Sequence, residues 1–242
     1  DEQRMWEIMN KLVAEDPCLK VEHVAATNET IVYGLGDLHL RVLLERLRDV
    51  YKFEVSTRPP RIAYRETITA NAEGHHRHKK QSGGAGQFGE VFLRIEPLPR
   101  GGGFEFVDQV KGGTIPGQYI PAVEKGVREA MTNGVIAGYT LVDVRVIVYD
   151  GKHHSVDSKD IAFATAGKKA FMEAVKAARP IVLEPVANVE ITAPDAAMGD
   201  IAGDLSSRRG QVSGTHNSAS GTVTIRGQAP LAELAGYQSR LN

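Results

Sequence analysis

Helical and strand-forming segments follow one another in a set order near the start of this chain, and that order constrains the fold more than any other feature. Within residues 1–58, apolar side chains recur at helical spacing in Met5–Leu12 and in Leu40–Leu47, and Asp37 is predicted to cap the second helix. Three short strands are predicted at Val21–Val24, Ile31–Tyr33 and Phe53–Val55. The resulting order is αββαβ.

One further strand in front of this order would complete the split βαβ, or ferredoxin-like, sandwich. The sequence lacks that first strand, which normally lies inside the sheet and not at its edge. A sheet without it would expose unpaired backbone groups and apolar surface. We therefore expect the natural chain to extend upstream of Asp1.

Residues 182–242 predict a related order. Arg208-Arg209 is expected to close the last turn of a helix, and Gly210 to end it. The predicted elements are a strand Leu183–Thr192, a helix Met198–Leu205, strands Gln211–Thr215 and Thr222–Gln228, and a helix from Leu231. The order βαββα is a second ferredoxin-like unit in which the last strand is missing.

Residues 59–181 combine strands with two helices. A polar stretch with four glycines, Asn71–Gln87, is predicted as a loop, and Ser158 is predicted to cap a helix that runs to about Ala178. The other predicted elements are strands Ile62–Thr69, Phe88–Ile95, Phe104–Val107 and Leu141–Tyr149, and a helix Ile120–Met131 that ends at Gly134. The predicted fold class is α+β, with three domains at residues 1–58, 59–181 and 182–242.

The composition is that of an ordinary globular protein. Hydrophobic residues make up 42% of the 242 residues and charged residues 24%, which excludes collagen-like, acidic disordered and membrane-spanning classes. Cys18 is the only cysteine and no signal peptide is visible, so a reducing, cytoplasmic setting is expected. The net charge of -1 divides into -3, +4 and -2 over the three domains, which indicates either a polyanionic partner of the middle domain or random scatter of surface charge.

Motifs for catalysis are absent from this sequence. It contains no G-x-x-x-x-G-K-[ST] phosphate loop, no H-E-x-x-H and no G-x-S-x-G. Cys18 lacks a nearby histidine in the pattern and is expected to be a partly buried structural residue. We therefore predict no catalytic residue, no metal ligand and no cofactor in this sequence itself.

A basic, histidine-rich stretch precedes the glycine-rich segment. His75, His76 and His78 are candidate metal ligands, but Arg77 and the neighbouring lysines disfavour a bound cation. The alternative, which we favour, is a flexible basic loop whose Lys, Arg and partly protonated His side chains neutralise the phosphates of a polyanion.

Glycines and neutral polar residues dominate Gln81–Gly89. Four glycines in nine residues exceed what a tight hairpin needs, and they permit a close approach of backbone to a polar partner. A hairpin loop without a partner is the alternative.

His153–Ser158 is either a plain strand-to-helix connection or a segment with His154 at an exposed tip. Arg208-Arg209 either completes a helix end or binds phosphate.

Many separate motifs, in order and over essentially the whole chain, resemble one family. They are Gly34–Leu40, Arg65–Thr67, Gln81–Gly89, Lys111–Gly117, Tyr119–Val123, His154–Ser158, Leu183–Pro185 and Gly199–Gly210. Together they resemble the third, fourth and most of the fifth domains of a bacterial elongation factor G-like translational GTPase. The domains that bind GTP and Mg²⁺ in that family are not in this sequence.

The resemblance implies a function as well as a fold. The first and last domains are similar to the ferredoxin-like pair of the family, and the middle domain is similar to a β-α-β domain of a small-subunit ribosomal protein. The family binds the ribosome and promotes GTP-dependent translocation, and its fourth domain enters the decoding site. The implied partners are the ribosome, ribosomal RNA, tRNA and mRNA, with the protein expected to be a cytoplasmic monomer with no membrane contact.

The implied binding site lies at two loops, with basic residues beside them. The predicted RNA- and ribosome-binding residues are Lys79, Lys80, Gln81, Ser82, Gly83, Gly84, Ala85, Gly86, Gln87, Phe88, His154, Ser155, Val156, Asp157, Ser158, Arg208 and Arg209. Ala85 replaces the Arg that is usual in the family, and Ser155 replaces an Asp that is common there. These departures resemble secondary paralogues, so ribosome recycling, antibiotic protection or a stand-alone RNA-binding role without GTPase are the alternatives.

Overall fold

A computed structural model describes residues 2–25, 27–81, 86–218 and 221–241, which form two compact units. One unit is Tyr64–Leu183; the other contains the residues up to Ala63 and those from Glu184 onwards. In chain order the helices and strands are α1 Glu2–Glu15, β1 Lys20–Val24, β2 Glu29–Tyr33, α2 Asp37–Asp49, β3 Arg65–Ile68, β4 Ala72–Lys80, β5 Gln87–Pro97, β6 Phe104–Asp108, α3 Ile120–Asn133, β7 Val144–Lys152, α4 Asp160–Ala177, β8 Pro180–Leu183, β9 Val186–Pro194, α5 Met198–Ser207, β10 Gln211–Asn217, β11 Thr222–Pro230 and α6 Tyr237–Leu241.

The first part of the discontinuous unit packs two helices on a hairpin. Strands β1 and β2 pair antiparallel, and the predicted apolar stripes of α1 and α2 supply the buried Leu12 and Leu47. Pro17 follows the end of α1, as the restriction on residues before proline requires. These elements therefore form where the apolar periodicity predicts them.

Two details of this part differ from the prediction. Asp37 is the first residue of α2, and Gly36 takes the N-cap position without a side-chain hydrogen bond. Phe53–Val55 is not a strand, although Phe53 and Val55 pack against the core. In a split βαβ sheet the closing strand pairs with the first strand, and the described residues include no such neighbour to accept its hydrogen bonds.

The second part of this unit is a three-stranded antiparallel sheet in the order β10-β11-β9. Helix α5 covers one face through Ile201 and Leu205, which pack with Val223 and Ile225 of β11. A separate core therefore stabilises each part of the unit. The division of the chain into three domains nevertheless stays a prediction.

The predicted long strand Leu183–Thr192 is two strands. Leu183 ends β8, which pairs with β3 within the unit Tyr64–Leu183, and β9 begins at Val186. Pro185 lies between them and has no backbone N–H to continue a ladder. The predicted helix from Leu231 is also interrupted: a 3-10 turn, Leu231–Leu234, precedes the short α6.

The middle unit is built on a four-stranded sheet in the order β4-β5-β7-β6. Helix α3 crosses from β6 to the parallel β7, and α3 and α4 cover one face of the sheet. Alternating residues of β5 and β7, among them Val91, Leu93 and Val146, are fully buried against these helices. Strand β7 begins at Val144, three residues later than predicted, because Asp143 has a left-handed backbone with φ of 59°.

The prediction of a loop at Asn71–Gln87 is wrong for most of the segment, since β4 occupies Ala72–Lys80 and pairs with β5 throughout. Gly74 faces α4, and a Cβ there would overlap the carbonyl oxygen of Ala170. The polar composition hides an alternation in which His76 and His78 share the Gly74 face and are half-buried, whereas the residues between them are exposed. Only one face of β4 is covered, so strand formation needs few apolar side chains.

A buried carboxylate fixes the far end of this unit. Glu66 of β3 is fully buried and accepts hydrogen bonds from the backbone N–H groups of Val135, Ile136, Ala137 and Tyr139, at 2.7–3.1 Å. Burial alone would raise the pKa of Glu66, but the four donors together hold the pKa below its ordinary value.

None of the described helices combines the length and hydrophobicity that a membrane span requires.

Candidate nucleic-acid interface

Three connections meet at one end of the four-stranded sheet. Strands β6 and β7 are parallel, so the loops that follow both lie at the same edge. Strand β5 starts at this edge because Glu90 pairs with Lys152, near the end of the antiparallel β7. We call residues 81, 86–88, 109–119 and 153–159 the tip. Ser82, Gly83, Gly84 and Ala85 of the predicted site lie outside the described residues.

Backbone and side-chain hydrogen bonds join the two predicted loops. The Phe88 N–H donates to the carbonyl oxygen of Asp157 at 2.9 Å, and the Ser158 hydroxyl donates to the Phe88 carbonyl at 3.0 Å. The prediction that Ser158 caps α4 is therefore wrong. Lys159 takes the N-cap position, without a side-chain hydrogen bond. The hydroxyl instead connects Phe88 to the loop 153–159.

The His154–Ser158 turn is held by its own side chains. The Ser158 Oγ accepts the His154 N–H at 2.8 Å, and His154 Nδ1 accepts the N–H groups of Val156 and Asp157 at 3.3 and 3.2 Å. An Nδ1 that accepts two N–H bonds places the proton of the neutral imidazole on Nε2. Val156 is 76% exposed, and Ser155 is exposed beside it. The turn thus presents an imidazole donor and an apolar side chain to a partner.

Gly86 lies close against the second loop. A Cβ at this position would lie 2.8 Å from Cγ of Asp157, so any other residue would displace the Asp157 carboxylate. Gly86 is buried, Gln81 is exposed, and Gln87 and Phe88 are half-buried. The Gln87 Oε1 lies 3.0 Å from Nε2 of His78, which links the loop to β4.

A third loop, not among the predicted site residues, belongs to the same end. The Tyr119 hydroxyl donates to the Ser158 carbonyl oxygen at 3.0 Å, and His153 Nδ1 lies 3.1 Å from the Thr114 carbonyl oxygen. Directly before Thr114, Gly112 and Gly113 have φ of 66° and 68°, a conformation that favours glycine. Two adjacent glycines after an exposed lysine, Lys111, were the available sequence signal.

The histidines of β4 do not converge. Alternation along the strand places His75 on the open face of the sheet, stacked on Phe92 at 4.0 Å between ring centroids, and places His76 and His78 on the opposite face. Burial, followed by the charge of Lys169, lowers the pKa of His76, which disfavours its charged form. Within the described ranges no three His, Cys, Asp or Glu side chains are grouped to hold a metal ion.

Family models match three successive segments of this chain. Elongation Factor G, domain III, matches residues 1–59; Elongation factor G, domain IV, matches 60–179; and the Elongation factor G C-terminus matches 181–242. The chain belongs to the elongation factor G family. The predicted resemblance and the predicted α+β fold class are both confirmed, and the tip described above lies in the segment matched by domain IV.

Members of the elongation factor G family resemble the chain along its length. An elongation factor G-like protein of Thermotoga maritima is 48% identical over 97% of the chain, and an elongation factor G of Aquifex pyrophilus is 46% identical over 100% of it. A crystal structure of a protein from Thermus thermophilus superposes with a TM-score of 0.83 at 41% identity, over 98% of this chain. The chain spans about a third of each relative, 34% for the first two and 35% for the third.

Arg208 and Arg209 lie in the segment matched by the elongation factor G C-terminus and make intramolecular contacts. Helix α5 ends at Ser207, and Arg209, not Gly210, takes the left-handed conformation after it, with φ of 57°. The Arg208 guanidinium lies 4.5 Å from the ring centroid of Tyr237 and donates to Asp204. The Arg209 guanidinium pairs with two glutamates, Glu184 first and then Glu233, which raise its pKa. A role in RNA binding stays a prediction for both.

Proposed function

We propose that this chain is the ribosome-binding part of an elongation factor G and that it promotes the GTP-dependent translocation of tRNA and mRNA. Membership of the family supports a role in translation elongation. The sequence contains no phosphate-binding loop, so the residues present do not fit GTP. In this proposal GTP and Mg²⁺ bind to another part of a longer protein.

The joined loops of the tip are the observation that carries this proposal. A backbone hydrogen bond between Phe88 and Asp157, and a second bond through the Ser158 hydroxyl, join segments about 70 residues apart. The described residues that are joined in this way need little further ordering when they enter a crowded polar groove, because these bonds are already formed within the molecule. A flexible loop would lose conformational entropy on entry.

The chemistry of the tip suits recognition and not covalent reaction. Gln81 presents an amide, the His154 imidazole presents an Nε2–H donor, and Val156 presents an apolar surface. Amide and imidazole groups hydrogen-bond to base edges, phosphates and ribose hydroxyls of RNA. We propose tRNA, mRNA and ribosomal RNA at the decoding site as the partners, with the factor acting as a cytoplasmic monomer.

Sedimentation of the chain with purified bacterial ribosomes tests this proposal. Val156→Asp adds a negative charge to the tip, and we expect it to weaken ribosome binding roughly tenfold because the RNA partner is polyanionic. Val186→Asp is the matched control, since Val186 is also exposed, at 57%, but lies on β9. Equal binding by the two variants, or no binding of the unmodified chain, would count against the proposal.

A second measurement separates binding from translocation. When Val156→Asp is placed in the longer factor that carries this chain, mRNA movement should slow while the rate of GTP hydrolysis on the ribosome stays close to that of the unmodified factor. Equal loss of both rates would contradict a positioning role of the tip.

A further inference from the structure

The two predicted loops of the tip, Gln81–Phe88 and His153–Ser158, carry little positive charge. The sequence from Gln81 to Phe88 contains no Lys or Arg, and Asp157 is the only formally charged residue in His153–Ser158. An RNA-binding surface normally contains several cationic side chains, because phosphate neutralisation supplies most of the non-specific affinity. Within the tip, Lys111 and Lys159 are exposed but lie outside these two loops, and further cations beside the tip come from other elements.

The open face of the sheet, opposite to α3 and α4, supplies such cations next to the tip. Arg77 and Lys79 lie on β4 with their side chains on this face, because Gly74 of the same strand faces α4. Lys152 of β7 lies on the same face, since Glu90 of β5 pairs with Arg77 on one side and with Lys152 on the other. All three basic residues are exposed. Among the described residues, none of the three forms an ion pair with a carboxylate.

Arg77 is held in position by an aromatic ring of the tip. Its guanidinium lies 5.2 Å from the ring centroid of Phe88, which is itself 6.2 Å from the His154 ring. This cation–π contact leaves the hydrogen-bond donors of the guanidinium available to phosphate oxygens. The Phe88 backbone in turn is bonded to the loop at Asp157, so Arg77 is oriented by the same ladder that joins the loops.

The acidic residue between these cations is withdrawn from the surface. Glu90 is only 6% exposed, and its Oε1 lies 2.8 Å from Nε2 of His75. Its charge therefore lies beneath the exposed cations and not beside an approaching phosphate. Arg77, Lys79 and Lys152 form a cationic surface across two rungs of the sheet, which we call the cationic strip.

We propose that the cationic strip binds an RNA sugar-phosphate backbone, and that Arg77 and Lys152 extend the RNA contact from the tip onto the open face of the sheet. The inference rests on the proposed function, because it assumes that the tip approaches RNA. It adds a surface outside the two loops and two residues, Arg77 and Lys152, that neither loop contains. The complementary charge of the strip selects a polyanionic backbone without sequence preference.

Salt-dependent binding of the whole chain tests the strip with two probes, purified bacterial ribosomes and naked ribosomal RNA extracted from them. The double variant Arg77→Gln/Lys152→Gln removes two cations of the strip. Lys125→Gln/Lys176→Gln is the matched control, since both lysines are exposed but lie on the helices of the opposite face. We expect the strip variant to lower the slope of log affinity against log salt by about 2 and to weaken binding about tenfold at low salt.

The charge-conserving variant Arg77→Lys/Lys152→Arg is the control that separates a loss of charge from a loss of folding. It should retain the slope of the unmodified chain, and thermal unfolding should show all three variants folded. Identical slopes of the strip variant and the control, with both probes, would overturn the inference. Loss of ribosome binding without loss of naked RNA binding would also overturn it, because the strip would then contact a protein.

The two proposals fail in different ways. If the tip variant Val156→Asp weakens ribosome binding and the strip variant does not, the proposed function stands and the strip inference is wrong. If the chain binds naked RNA through the strip but does not bind ribosomes, the strip inference stands and the proposed function is wrong. If it binds neither probe, both are wrong.

Discussion

The Ser158 hydroxyl donates to the carbonyl oxygen of Phe88 at 3.0 Å, across 70 residues of sequence, and so joins the loop before α4 to the start of β5. The same Oγ accepts the N–H of His154 at 2.8 Å. One small side chain thereby closes the His154–Ser158 turn and attaches it to the neighbouring loop.

Ser158→Ala is expected to loosen the tip. The substitution removes two hydrogen bonds, one exposed and one partly buried, at a cost of about 0.5–1.5 kcal/mol in the free energy of unfolding for each. Hydrogen exchange of the Phe88 amide should accelerate in the variant, because that amide bonds to the loop that the hydroxyl secures. Ser155→Ala is the control, since Ser155 is exposed, and its free energy of unfolding should change by less than about 0.5 kcal/mol. Equal exchange rates in the two variants would contradict the prediction.

Gly74→Ala is expected to destabilise the middle unit strongly. The new Cβ would overlap the carbonyl oxygen of Ala170, so β4 and α4 must move apart. Overpacking of this kind costs about 1–3 kcal/mol. Gly203→Ala in α5 is the opposite case, because nothing lies near its Cβ and alanine favours a helix by about 0.5–1 kcal/mol. Calorimetry of both variants should therefore give shifts in melting temperature of opposite sign.

Glu66→Gln is expected to cost about 2–4 kcal/mol at pH 7, because a neutral amide cannot satisfy the four N–H donors that the buried carboxylate accepts. The pKa of Glu66 is lowered in the folded state, so the carboxylate stabilises the fold fully above its ordinary value of 4.5. That contribution is lost as the pH falls through the lowered pKa. The difference between the unmodified chain and the variant should shrink towards pH 3 in urea unfolding measured at several pH values.

Glu54→Gln is the control for this pH dependence. Glu54 is exposed, so its substitution should change the free energy of unfolding by less than about 0.5 kcal/mol at either pH. A Glu66→Gln difference that stays constant from pH 7 to pH 3 would show that the charge of Glu66 does not provide the stabilisation.

Arg208 and Arg209 are expected to respond differently to substitution. Arg208→Ala removes the contact with Tyr237 and the bond to Asp204, and its side chain is only 17% exposed, so we expect a loss of about 2–3 kcal/mol. Arg209→Gly loses exposed ion pairs but relieves a positive φ, so its melting temperature should change much less than that of Arg208→Ala. If Arg209 binds RNA, Arg209→Gly should still weaken ribosome binding in the sedimentation assay. Unchanged binding would remove Arg209 from the predicted interface.

The elements that local periodicity predicts are those whose burial follows the sequence pattern. The stripe of α1 and the alternating valines of β7 are examples, because each buries one face on a single core. Strand β4 was not predicted, because the burial of its residues does not follow an apolar pattern in the sequence. Its covered face includes Ala72, Gly74, His76 and His78, which fit beneath α4 by small size or partial burial and give only a weak apolar signal.

The candidate site shows the same division. The glycine-rich segment and the His154 turn could be singled out in the sequence because their composition is unusual for a hairpin and for a helix connection. Their junction could not, since Ser158 before a helix is also the pattern of an N-cap. The choice between capping α4 and bonding to Phe88 depends on where β5 lies.

By itself, the amino-acid sequence determined the family of this chain, its α+β class and most of its helices and strands, because these depend on local periodicity and on motifs that persist in order. The tertiary structure alone decided which loops meet at the tip, that the basic segment is a strand, and that Arg77 and Lys152 share a face. Contacts between residues far apart in sequence depend on which strands become neighbours in the sheet, and the local periodicity of each strand does not specify its neighbours.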